Sequence, residues 1–167
     1  MSDAAPRRDM RWLILAIAAF VILLDRATKR WILAHIEPGH AIVVIPNVFR
    51  LTHVLNTGAA FSMFEGSTSP HLVRNLLIAF SVFAVIVVLF LIWKMGRALS
   101  LTSIALALIL GGALGNLYDR VRFAHVVDFL EVHIVHYHWP DFNVADSAIV
   151  VGACLLFLEM LRPQRSA

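Results

Sequence analysis

Residues 125–146 read HVVDFLEVHIVHYHWPDFNVAD, and this stretch decides how the rest of the chain must be arranged. It is a polar island between two long apolar segments. Asp128 stands inside the apolar quartet Val126, Val127, Phe129 and Leu130, and Asp146 opens the next apolar run. A carboxylate set where hydrocarbon is expected is costly, so an acid in such a place marks function by default.

Outward from the island the chain is hydrocarbon-rich. Its 167 residues are 60% hydrophobic with a mean hydropathy of +0.80, whereas a soluble domain is about 45–50% apolar. That composition belongs in a membrane, and there is room for about four spans of ~20 residues. The apolar segments place them at about 12–35, 72–93, 98–118 and 144–161 of one integral-membrane domain covering residues 1–167, with outward loops at about 36–70 and 119–143. The lone cysteine, Cys154, rules out an internal disulfide framework or a multi-cysteine metal site and reads as apolar filler. A formal charge of +3 with no basic stripe interleaved with aromatics sets nucleic-acid binding aside.

The first apolar run resembles a signal-peptide core, but no small-residue cleavage site follows it and three further apolar segments do. It reads instead as a helix continuing through Asp25, Lys29 and Trp31 to about His35. Its polar end must then be buried in protein or lie at an interface. Glu37-Pro38-Gly39 stops the helix. The β-branched residues 41–45, a Pro46-Asn47 turn and residues 48–54 read as a small hairpin. Short, basic flanks at both ends and at the Lys94 to Arg97 turn mark the cytoplasmic side, so both long loops face outward.

Several constellations carry chemistry. Asp25 and Lys29 are one helical turn apart, which favours an ion pair; burial of a polar turn and a substrate role are even readings. Gly111-x-x-x-Gly115 is a small-residue ridge for helix packing. Asn116, Asp119 and Arg120 stand at i, i+3 and i+4 and share a face, as a binding surface would. Asn143 and Asp146 have the spacing of a capping box, and the helix N-terminus stabilises the charged carboxylate of Asp146. Desolvation by its apolar neighbours should raise the pKa of Asp128. Two carboxyls pushed apart could share one proton and hold a water, titrating as a dyad. His133, His136 and His138, with Asp141, fit no zinc signature and are read as interfacial residues beside Tyr137 and Trp139, so no metal is assigned. No GxSxG elbow occurs, and Cys154 has no histidine partner in its apolar segment.

Five motifs in order resemble those of bacterial lipoprotein signal peptidase (signal peptidase II). They are Asp25-Arg-Ala-Thr28-Lys29, Asn56-Thr-Gly58-Ala-Ala-Phe61-Ser62, Gly111-Gly-Ala-Leu-Gly-Asn116-Leu-Tyr-Asp119-Arg120, Val127-Asp128-Phe129 and Phe142-Asn143-Val-Ala-Asp146-Ser147. The resemblance covers nearly the whole chain apart from its tails. It implies an all-α membrane fold of four transmembrane helices, with a small extracytoplasmic β-sheet cradle and a short interfacial helix. It implies an intramembrane aspartic endopeptidase of the bacterial inner membrane, with both termini cytoplasmic and the site facing the periplasm. Its substrate would be a prolipoprotein carrying a diacylglyceryl cysteine, cut just before that cysteine. Catalysis would fall to Asp128 and Asp146. Substrate contact would fall to Asn56, Gly58, Asn116, Arg120 and Asn143, with Asp25, Lys29 and Asp119 in support. No cofactor is implied, a monomer suffices, and membrane lipid is the other partner. The departures from the motif pattern are Asp141 and the histidine-rich run before it. The rival reading is a small proton-coupled transporter, which would spread its acids across the membrane depth and carry an inverted repeat. Here the two focal acids cluster at one face, and no repeat is found.

Overall fold

Four helices and one sheet make up the described residues, 9–58, 70–135 and 137–162, of the computed structural model. Helix α1 runs from Arg11 to His35 and buries Ile14, Ala18, Val21, Asp25, Lys29 and Ile32. Steps of three and four place these on one face. The buried stripe begins apolar and turns charged without leaving the interior. Helix α2 (Pro70–Met95) is apolar nearly all round. Helix α3 (Leu101–Phe123) starts at a reciprocal Ser100/Ser103 capping box and stops where Ala124 turns left-handed at φ 65°. Helix α4 (Val144–Met160) starts at Asn143.

Helices α2 and α3 are each long and apolar enough to cross a membrane. The other two expected spans fall short of that standard for identifiable reasons. Helix α1 carries Asp25, Arg26, Lys29 and Arg30 in its second half, and α4 has only 17 residues. Phe80, Phe83, Ile86, Phe90 and Trp93 of α2 are all more than half exposed. In water so large an apolar face would be a liability, whereas in lipid it is ordinary.

Helix α3 is the hub against which the other three pack. The glycine ridge explains how they approach. A Cβ on Gly111 would lie 2.7 Å from the Ala18 carbonyl oxygen of α1, and one on Gly112 would collide with the Ala145 carbonyl oxygen of α4. Gly111 and Gly112 thus serve different neighbours. Because the obstacle at Gly112 is backbone, Gly112→Ala must displace the first turn of α4. Thermal unfolding in detergent should register a loss of about 1–3 kcal/mol, the usual range for overpacking; an unchanged melting temperature would mean that α4 slides freely on α3.

The sheet has the order β1 (Ala41–Ile45), β2 (Phe49–Asn56), β3 (Val126–Ile134), β4 (Tyr137–Phe142), antiparallel throughout. The first hairpin lies where the sequence places it and runs two residues further, to Asn56. The stretch 119–143, expected as an outward loop, is instead the last turn of α3 followed by two strands. Strand β3 shows no alternation because Val126, Val127, Asp128 and Phe129 are all buried. Val127 and Phe129 pack on Ile32 and Ile36 at the end of α1, while Val126 and Asp128 face a cavity. A strand covered on both faces loses its period of two. Among the described residues there is no short interfacial helix, and residues 59–69, which continue the first outward loop, lie outside them.

Candidate active site

Asp128 reaches the site from β3, and its side chain is held from both sides. Its Oδ2 accepts a hydrogen bond from Asn56 Nδ2 at 2.9 Å, and its Oδ1 accepts one from Asn143 Nδ2 at 2.7 Å. Asn56 cannot turn its amide round, because its Oδ1 accepts from the Gly58 backbone N–H at 2.9 Å. Gly58 therefore acts through its main chain, one step removed from the carboxylate. Burial pushes the Asp128 carboxyl up to about 7, and the neighbouring Asp146 charge adds to the effect. The two asparagine hydrogen bonds and the charge of Lys29 oppose it.

Asp146 comes from the third position of α4. The expected capping box is present: Asn143 Oδ1 accepts from Asp146 N at 3.0 Å, and Asn143 N donates to Asp146 Oδ2 at 3.2 Å. The remaining oxygen, Oδ1, accepts from Asn116 Nδ2 at 2.7 Å. Asn143 thus touches both aspartates, one through its side chain and the other through its backbone. Interacting carboxyls titrate as a pair, so the cap alone does not make Asp146 the base. Asn143 is fully buried. Its Nδ2 donates to the Asp128 carboxylate, its backbone N–H donates to the Asp146 carboxylate, and its Oδ1 is taken by the Asp146 backbone N–H.

Asn116 is fixed in turn by the charged turn of α1. Its Oδ1 accepts from Lys29 Nζ at 3.1 Å, which leaves its Nδ2 for Asp146. The Lys29 ammonium also lies 2.8 Å from Asp25 Oδ2 and 2.7 Å from Asp119 Oδ2. Arg26 pairs with the other oxygen of Asp119 and stacks 4.6 Å over the Tyr118 ring. Two cations and two anions balance, which is what lets Asp25, Lys29 and Asp119 be buried. Asp25 Oδ1 accepts from the Ala145 N–H at 3.1 Å, one of the helix-end amides that have no partner within their own helix. Neither Asp25 nor Lys29 lines the cavity; Lys29 holds Asn116, which does, and Asp25 holds the first turn of α4. Arg26 escaped the sequence reading, because its partner lies 93 residues away on another helix and leaves no local signal.

Both aspartates line a cavity of about 860 Å³. Asn56, Asn116 and Arg120 stand with them at its polar end, and Leu77, Phe80, Ile149 and Val150 contribute an apolar wall. Arg120 makes no hydrogen bond to the described residues, yet its charge acts on both carboxylates. Asp141 and Trp139 of β4 also line the cavity, and Asp141 Oδ1 accepts from the Thr52 hydroxyl at 2.5 Å. The sequence marks Asp141 as a departure from the motif and as a companion of the histidines, not as a cavity residue. His133 and His138 do not reach this cavity, and His136 lies outside the described residues.

Residues 17–162 match the family model described as Signal peptidase (SPase) II. The lipoprotein signal peptidase of Solibacter usitatus (strain Ellin6076) is 42% identical over 159 residues, covering 95% of this chain and 96% of that protein. The protein of the same name from Pseudomonas aeruginosa (strain PAO1) is 46% identical over 167 residues, covering 99% and 96%. A solved bacterial membrane enzyme, determined by the in meso method at 2.3 Å resolution, superposes with a TM-score of 0.83. That pair is 27% identical and covers 96% of this chain and 98% of the other.

Proposed function

We infer the workings of the site from one premise: this chain belongs to the signal peptidase II family. It is a peptidase that removes signal peptides from lipoprotein precursors, and the transporter reading falls away. Asp128 and Asp146 are proposed as its catalytic pair. The observation that carries the assignment is Asn143, which hydrogen-bonds both carboxylates where they meet one cavity. The pair holds one proton. The ionised carboxylate takes a proton from a water as it attacks the scissile carbonyl, and the protonated carboxyl donates to the carbonyl oxygen. A proton passed to the leaving nitrogen then completes the cleavage. Arg120, whose donors are not committed to the described residues, orients substrate carbonyls. Asn56 and Asn116 hold the aspartates and border the same space.

The cavity's apolar wall supports a substrate with hydrocarbon chains, a diacylglyceryl cysteine, whose peptide lies at the polar end. Four membrane spans are proposed, in which the charged turn of α1 avoids lipid because α3 and α4 cover it. The short basic flanks favour cytoplasmic termini and a site on the periplasmic side of the inner membrane. The chemistry needs no cofactor, and one chain supplies every group it uses.

The test compares two forms of one precursor, with and without the diacylglyceryl group, incubated with the purified protein and resolved by gel mobility. Cleavage of the lipidated form alone is expected. Equal cleavage of both would remove the proposed role of the apolar wall.

A further inference from the structure

We propose that Glu131, His133 and His138, none of which lines the peptidase cavity, form a binding site for one borderline transition-metal ion of the Zn²⁺ type on the β3–β4 hairpin. Two features of strand geometry bring the ligands together. Glu131 and His133 are two residues apart on β3, and residues at that spacing share a face. His138 is the cross-strand partner of His133, which sets the two imidazoles side by side with centroids 5.2 Å apart.

Both rings aim Nε2 at the same carboxylate oxygen. Glu131 Oε1 lies 3.2 Å from His133 Nε2 and 2.8 Å from His138 Nε2, and the three ligand atoms fall within 4.8 Å of one another. Bonds of about 2.0–2.1 Å in a tetrahedron separate neighbouring ligand atoms by about 3.3–3.4 Å. Both carboxylate-to-imidazole distances therefore lie near the required spacing. His133 Nε2 is buried and faces Glu131 Oε1 without the geometry of a hydrogen bond, so a metal bond would give it a directed partner.

The surroundings suit a metal-bound carboxylate. Glu131 is 4% exposed, and burial alone would favour its neutral form. The Arg50 guanidinium grips both of its oxygens and compensates the buried charge. A ligating carboxylate is ordinarily braced in this way by a second partner. The imidazoles are partly exposed, so an ion can enter from outside. Asp141 Oδ2 stands 4.0 Å from His138 Nε2, near enough to reach a fourth position that water could also fill. Two imidazoles and a carboxylate select zinc, copper or nickel over magnesium and calcium. The histidine spacing alone conceals the site because Glu131, its third ligand, is not a histidine and His138 joins across the turn.

The experiment uses tag-free protein in detergent, stripped with a chelator, dialysed against Zn²⁺ and assayed for bound metal and for melting temperature. One Zn²⁺ per chain is expected, with a higher melting temperature and no competition from excess Mg²⁺. The double variant His133→Ala/His138→Ala should keep cleaving the lipidated precursor, showing that it is folded. Its Zn²⁺ affinity should fall by more than the roughly 10–100-fold that losing an outer-shell partner costs. His40→Ala should bind as the parent does. Absence of saturable binding by the parent, or undiminished binding by the double variant, overturns the proposal.

Discussion

Asp128→Asn and Asp146→Asn are each expected to stop cleavage of a lipidated precursor while the chain stays folded. Each change keeps the shape of the side chain and removes its ability to exchange a proton. The loss should reach at least the roughly 10²–10⁴-fold that general acid–base catalysis supplies. Single-turnover cleavage by purified variants measures it, with melting temperature as the check on folding. A folded variant of either kind that cuts within tenfold of the parent would falsify the pair.

The same pair sets a pH dependence whose sign can be worked out. Asp128 has an ordinary value of 3.8 that burial raises to about 7. Its carboxyl is protonated below about 7 and ionised above, so the one-proton state of the pair is lost as pH rises through that value. Above it, kcat/KM should fall about tenfold per pH unit; a profile flat from about pH 6 to 9 contradicts the assignment. Stability follows the same direction. Between 3.8 and about 7 the folded chain binds more protons at Asp128 than the unfolded chain does, so this group's contribution to stability declines as pH rises across that window.

Lys29→Met is the second large expectation, and its effect falls on folding first. The ammonium is fully buried and serves Asp25, Asp119 and Asn116 together. Removing it leaves Asp25 without its cation and Asp119 with Arg26 alone. Breaking a buried pair from one side typically costs about 3–5 kcal/mol. Thermal unfolding should show that loss, and adding Asp25→Asn should recover part of it. An asparagine there no longer buries an unpaired charge and can still accept from the Ala145 N–H. Lys29→Met melting with the parent would mean that the network contributes nothing to stability.

Much of this molecule is legible in its sequence, for reasons that differ by element. The limits of α1 and α4 agree with the sequence to within a residue, because Glu37-Pro38-Gly39 and the Asn143 cap act locally. Asp128 and Asp146 stand out because acids amid hydrocarbon contradict their surroundings. Strands β3 and β4 were missed, because the burial of β3 on both faces erased the alternation that reveals a strand. Asn143 is only half legible for a related reason: a cap is visible in sequence, but a side chain that also reaches a second carboxylate is not. Arg26, Thr52 and Glu131 give no signal, since each takes its meaning from a partner on another element.

The sequence by itself marked the chain as a membrane protein, the limits of α1 and α4, and Asp128 and Asp146 as the candidate pair, because hydropathy, helix caps and misplaced charge act over a few neighbouring residues. Only the tertiary structure decided that residues 125–146 fold back as strands and return to α4, so that Asn143 holds Asp128 and Asp146 together at one cavity. That outcome depends on pairing β3 with β2 and on packing α3 against α1 and α4 through Gly111 and Gly112. These contacts join residues far apart in the chain, and no local pattern records them.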